Sequence, residues 1–176
     1  IPVELSSKPL LEAKQRILKS DYFLYLAATT ANKNHLALFE AVKILSSEGM
    51  APKIIFTSQS ISRLKDGIEL SSHEMFLRHW LDENLALVGI NIILKGQVSW
   101  GELEALYDNC RAVILPSLYE GFGLPLLESF ERNVPVICSG ISAFREQIQR
   151  YDMSDMVTIF DPASSQSIAS AIRSNI

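Results

Sequence analysis

Residues 112–129 read AVILPSLYEGFGLPLLES, an apolar run that ends at Pro116, passes through a glycine-bearing turn and opens a helix. The run Ala112 to Leu115 does not alternate between apolar and polar residues, which suits a strand buried on both faces. Gly121 and Gly123 let the backbone come close to a ligand and take conformations a side chain would forbid, and Pro125 suits the first position of a helix. The helix is predicted to start at Leu124 or Pro125. The amides of Gly123, Leu124, Leu126 and Leu127 then include the unpaired donors of its first turn, whereas Pro125 has none to give. This is an anion site in outline. Glu120 falls in the loop before the helix and Glu128 about one turn inside it, so the two carboxylates flank the anion position and could grip hydroxyls on either side of a phosphate. The same spacing also describes an ordinary loop, a helix start and a solvated acid, so its context has to decide.

Outward from this stretch, short β-rich runs alternate with helical patterns. Tyr22 to Ala27, Lys53 to Thr57, Ile92 to Leu94, Ala112 to Leu115, Val134 to Cys138 and Val157 to Phe160 are the predicted strands. Helical spacing covers Asn34 to Ser47, Ser72 to Leu87, Gly101 to Asn109, Pro125 to Arg132, Ala143 to Arg150 and Ser165 to Asn175. A further short helix is compatible with Leu10, Leu11, Lys14, Ile17 and Leu18, within a leading segment over residues 1–20. Strict βα alternation implies a parallel sheet covered on both faces, and KIIFT, AVIL and VPVIC are nearly continuous apolar runs. The expected fold class is α/β, a Rossmann-like three-layer sandwich with a six-stranded parallel sheet in the order 3-2-1-4-5-6. The polar segment Ser58 to Ser71 is read as a surface excursion, with Arg63 and Lys65 as solvated charges.

In that strand order ligands bind outside the carboxyl ends of strands 1 and 4, where the order reverses. The glycine turn follows the fourth strand. The loop after the first strand, Ala28 to Asn32, should face it and runs into Lys33, Asn34 and His35. A lysine is thereby expected opposite the anion site, although a solvated lysine near a helix start is the simpler alternative; a cation there gains nothing from the helix dipole.

Composition limits the alternatives. At 176 residues, 48% hydrophobic and 20% charged, the chain suits one domain with a real core. It contains no apolar run of about 18 residues and no signal-peptide pattern, so a soluble chain is expected. A net charge of -4 without a basic stripe argues against nucleic acid as a partner. Cys110 and Cys138 read as reduced core thiols, and with His35, His73 and His79 scattered no metal site is expected. His79 and Trp80 read as packing and surface residues. Neither GxGxxG after the first strand nor GxxxxGK followed by Ser or Thr is present, and Ser117 and Ser139 lack a GxSxG elbow.

With the flanking segments in view, the chain resembles the carboxy-terminal, donor-binding domain of retaining GT-B glycosyltransferases, called group 1 or family 4. EGFGLPLLE is the specific core. YFLYLAATTANKNHLALFEAV is similar to the family's first strand and lysine-bearing helix, ILKGQVSWGELEALYDNC to its base-binding loop and following helix, and VPVICSGISAFREQI to the segment after the motif. The likeness covers nearly the whole chain. It implies that Glu120 holds donor-sugar hydroxyls and that Lys33 neutralises the diphosphate, the two catalytic assignments. It further implies that the amides at Gly121, Phe122 and Gly123 line the sugar, that Leu124 and Pro125 begin the helix facing the diphosphate, and that Glu128 binds the ribose. The base would lie beside Lys95, Gly96, Gln97 and Val98. Glu146 matches a recurrent family glutamate with a structural role.

The resemblance also implies a hexosyltransferase-type activity in polysaccharide biosynthesis, a nucleotide diphosphate sugar as substrate, and no cofactor or metal. Residues 1–176 are expected to be a single donor domain, incomplete for transfer without an amino-terminal acceptor-binding domain, and its location cytoplasmic, with any membrane association through the parent enzyme. One departure stands out. The family commonly has Gly-Arg where this chain has Ala27 and Ala28, so one diphosphate-binding cation is missing. Either Lys33 and the helix terminus suffice, another residue such as Arg63 substitutes, or donor affinity is low. A degenerate domain serving as a binding scaffold is the alternative function. A GT-B enzyme of another class, a sugar epimerase or a phosphorylase, is the third.

Overall fold

The computed structural model describes residues 21–176, so the leading helix expected over residues 1–20 lies outside the described residues. Six strands, β1 (Tyr22–Leu26), β2 (Lys53–Thr57), β3 (Ile92–Leu94), β4 (Val113–Leu115), β5 (Val136–Ser139) and β6 (Val157–Phe160), form one sheet in the order β3-β2-β1-β4-β5-β6. Every pairing is parallel, with Leu24 opposite Val113 and Val113 opposite Val136 across the centre. This is the expected topology, strand for strand.

The α-helices are α1 (His35–Ser47), α2 (Gln59–Asp66), α3 (Ser72–Glu83), α4 (Trp100–Asn109), α5 (Leu124–Glu131), α6 (Ser142–Arg150) and α7 (Ser165–Arg173). Successive strand residues divide between two cores, because side chains along a strand point to alternate faces. Phe23, Tyr25, Ile114 and Ile137 meet Leu38, Val42, Ile61, Trp80 and Ile168 from α1, α2, α3 and α7. Leu24, Val113, Leu115 and Val136 meet Tyr107, Leu126, Phe130 and Phe144 from α4, α5 and α6. Each fully buried side chain of this size contributes about 2 kcal/mol of hydrophobic stabilisation, so burial on both faces dominates the fold. Cys110 and Cys138 are both buried, as expected of core thiols. Burial lifts the Cys138 thiol to about 12.

One expected surface segment is a helix instead. The polar run after β2 contains α2, capped by the Ser58 hydroxyl on the Ile61 amide at 3.2 Å and closed by Gly67 at φ +70°. Its apolar residues Ile61 and Leu64 lie one turn apart and are fully buried. A serine N-cap and a glycine C-cap bracketing that pair were the legible signals. Nor does α3 run on to Leu87: it stops at Glu83, with the Asn84 side-chain amide donating back to the Trp80 carbonyl at 2.7 Å. Trp80 belongs to the core, 8% exposed and stacked on Phe39 at 5.2 Å, while His79 lies at the surface beside Glu83.

Candidate donor site at the strand reversal

Three loops at the carboxyl ends of β1, β4 and β6 are tied together by one residue. Asn34 takes a left-handed conformation, φ 59°, at the N-cap of α1. Its side-chain amide donates to the Pro116 carbonyl at 3.0 Å and to the Pro162 carbonyl at 2.9 Å. The Leu118 amide returns a hydrogen bond to the Asn32 carbonyl at 2.8 Å, and the Asn32 side chain reaches the Tyr119 carbonyl. The β1 and β4 loops are therefore stitched along their length, and the lysine loop faces the glycine turn as the strand order requires.

Within this frame the Lys33 ammonium lies 2.5 Å from a Glu120 oxygen. The same oxygen accepts the Ser117 hydroxyl at 2.7 Å. Tyr25, buried beneath, donates its hydroxyl to the Lys33 carbonyl at 2.5 Å. Burial first, and the Glu120 charge second, raise the Tyr25 phenol well above its ordinary range, so it stays a neutral donor. Lys33 and Glu120 remain 20% and 14% exposed, which leaves both within reach of a ligand entering from the carboxyl face.

The glycine turn rests on α6. Gly123 is the N-cap of α5 at φ +80°, and a Cβ there would come within 2.7 Å of the Phe144 ring. The Gln147 side-chain amide donates to the Phe122 carbonyl from the same side. Gly121 differs: its φ is not positive and a Cβ would meet nothing within 4 Å among the described residues, so close approach of a ligand is what would require glycine there. The helix begins at Leu124, as expected, with Pro125 in its first turn. One first-turn amide is already used, since Leu126 donates to the Gly123 carbonyl at 3.0 Å. Glu128 is exposed and oriented by the Tyr107 hydroxyl at 3.2 Å, and Arg132 lies 4.8 Å from the centre of that tyrosine ring. Burial, then the Glu128 charge, raises the Tyr107 phenol above its usual range.

Lys95, Gly96, Gln97 and Val98 form the loop after β3, two strands away from β1. Gly96 stands at φ +84° and its carbonyl accepts the Thr57 hydroxyl at 2.5 Å. Glu146 lies on the exposed face of α6, paired with Arg150 at 2.7 Å.

Arg63 is not a simple solvated charge. Its guanidinium donates to Glu74 at 2.9 Å, and the same carboxylate oxygen accepts the hydroxyl of Thr29, the residue after Ala28, at 2.5 Å. Glu74 is 2% exposed. Burial would raise its carboxyl, but hydrogen bonds from Thr29, Ser71 and Arg63 outweigh that and hold it at about 2. Sequence reasoning missed both Glu74 and Thr29, because their link spans two loops.

The arrangement sets Lys33 against Glu120 in the loops before the N-terminus of α5, and α5 itself carries the second carboxylate, Glu128. The family described as glycosyl transferases group 1 matches residues 7–176. The chain belongs to this family.

The chain is 29% identical over 170 residues to the O-antigen chain mannosyltransferase B of Escherichia coli, covering 93% of this chain and 39% of that protein. It is 28% identical over 138 residues to the O-antigen chain mannosyltransferase RfbU of Salmonella typhimurium, covering 75% of this chain and 33% of that protein. The chain thus spans well under half the length of these curated relatives. In fold it is similar to the C-terminal domain of a group 1 glycosyl transferase from Francisella tularensis, with a TM-score of 0.62 at 17% identity, covering 96% of this chain and 82% of that one. It is also similar to Anabaena HepE, solved in complex with UDP and glucose, with a TM-score of 0.65 at 15% identity, covering 96% of this chain and 42% of that one. These structural likenesses bear on the fold, which is shared along nearly the whole chain.

Proposed function

We propose that this group 1 domain binds the nucleotide diphosphate sugar of a retaining hexosyltransferase, and that it forms the donor half of a longer two-domain enzyme building a surface polysaccharide. The observation that carries the reading is the meeting of Lys33 and Glu120, from different loops, beside the N-terminus of α5. In this reading a diphosphate sits against the first-turn amides with Lys33 as its counter-charge, both strengthening as negative charge develops on the departing diphosphate. Glu120 and the amides of Gly121, Phe122 and Gly123 take the sugar. Glu128 takes the ribose hydroxyls and residues 95–98 take the base. No metal or cofactor has a part in the proposal. Mannose is the proposed sugar, since the similar O-antigen proteins are mannosyltransferases. The acceptor half, any membrane contact and a cytoplasmic location would belong to the longer protein.

Calorimetric titration with UDP, GDP, ADP and dTDP tests the assignment. We expect one of them to bind best, Glu128→Ala to weaken every nucleotide, and Glu120→Ala to weaken only the nucleotide sugar. Failure of all four to bind at millimolar concentration would instead leave a scaffold module as the better account. Equal losses from both substitutions would overturn the division of roles.

A further inference from the structure

Helix α2 crosses the carboxyl end of β2, between the β1 loop on one side and the β3 loop on the other. Two of its serines reach in opposite directions. The Ser60 hydroxyl, 7% exposed, accepts the Thr29 amide of the β1 loop at 2.8 Å. The Ser62 hydroxyl accepts the Gln97 amide of the β3 loop, also at 2.8 Å.

At the β3 side the fit is close. Gly96 stands at φ +84°, and a Cβ on it would lie 2.5 Å from the Ser62 oxygen and 3.3 Å from the Ser62 Cα. Lys95 is fixed through its amide to the Phe56 carbonyl at 3.0 Å, and Gly96 through its carbonyl to the Thr57 hydroxyl at 2.5 Å. Three consecutive loop residues are therefore held by the end of β2 and the start of α2. The Ser62 bond is the last of the three and decides how residues 97 and 98 leave the sheet. With the Gly96 carbonyl and the Gln97 amide engaged, the backbone groups that follow in the loop are positioned by these anchors.

We propose that Ser62 is a positioning residue for nucleobase recognition, and that α2, through Ser60 and Ser62, fixes the distance between the diphosphate-binding and base-binding loops. This rests on the donor-site reading above. A rigid span of this kind discriminates by geometry, because a base presented at the wrong height loses its hydrogen bonds while the site's own polar groups stay unpaired. Ser62 would touch no ligand itself.

The test is Ser62→Ala. Alanine is the stronger helix former, so α2 should remain folded and the melting temperature should stay close to that of the unsubstituted chain. Exchange of the Gln97 amide, followed by NMR, should accelerate as its acceptor is lost. Affinity for the preferred nucleoside diphosphate should fall about fivefold, the worth of one hydrogen bond of about 1 kcal/mol, and its preference over the other bases should narrow. Binding by the unsubstituted chain, with unchanged affinity and base preference in Ser62→Ala, would overturn this inference alone. No binding of any nucleoside diphosphate by the unsubstituted chain would remove the donor-site reading and this inference with it.

Discussion

Lys33 and Glu120 stand 2.5 Å apart although 86 residues separate them in the chain, joined only because β1 and β4 are neighbours in the sheet. Each is the other's counter-charge in a partly buried setting, where an ion pair is screened less than at the surface. A bound diphosphate would have to compete with Glu120 for Lys33. Glu120→Gln should therefore leave the affinity for a nucleoside diphosphate unchanged or raise it severalfold, while lowering that for the nucleotide sugar. Lys33→Met should lower both by at least about tenfold, the loss of one charge-assisted contact of 1.5–3 kcal/mol. Calorimetry on the two variants separates these expectations, and a weaker nucleoside diphosphate in Glu120→Gln would contradict the competition.

Gly123 is fixed by both conformation and space. Alanine there meets a φ of +80° and a Cβ contact of 2.7 Å with the Phe144 ring. Left-handed strain and displacement of a core aromatic together should cost about 2–4 kcal/mol. Gly121→Ala meets neither obstacle and should leave stability within about 0.5 kcal/mol while weakening the nucleotide sugar, if a ligand approaches that backbone closely. Urea unfolding of both variants distinguishes them.

His35 is fully buried among Tyr25, Phe39 and Phe56, and neither ring nitrogen has a hydrogen-bond partner among the described residues. Burial first, then the nearby His73 and Lys33, lower it to about 3. The folded chain therefore keeps His35 neutral while the unfolded chain protonates it near 6.5. Its contribution is present above pH 6.5 and is lost as pH falls from there toward 3. Between pH 7 and 5 the loss should be about 2 kcal/mol, and His35→Phe should abolish that part of the pH dependence. Unfolding curves at the two pH values provide the check.

Glu74 works over a lower range. Held at about 2 in the folded chain against an ordinary 4.5, its carboxylate contributes stability above pH 4.5 that disappears as pH falls toward 2. Glu74→Gln should flatten the acid limb of the stability profile below pH 4.5. The same variant removes the charge that strengthens the bonds from Thr29 and Arg63, so nucleoside diphosphate affinity should fall as well. Retained affinity would show that the β1 loop keeps its position without this carboxylate.

Much of the fold was legible because burial on both faces leaves a mark in linear sequence. KIIFT, AVIL and VPVIC read as apolar runs without alternation, and all three are central parts of the sheet. Strand ends were less legible: β1 stops at Leu26 and β5 runs from Val136 to Ser139, because ladder hydrogen bonds, not residue type, set those limits. Helix α2 escaped notice because six of its eight residues are polar, and its two buried apolar residues are too few to show a period.

For the site, the glycine turn, its helix start and the two glutamates were visible in residues 116–129, since left-handed turns and helix N-termini demand particular residue types within a few positions. Lys33 was placed opposite them by topology. What the sequence alone determined is this set of local chemical groups and the order of the strands that carry them. The tertiary structure decided their pairings: Lys33 with Glu120, Tyr107 with Glu128, Arg63 and Thr29 with Glu74, and Ser62 with Gln97. Those depend on side chains meeting across loops from different strands, and a contact between distant residues leaves no periodicity or composition in either segment to announce it.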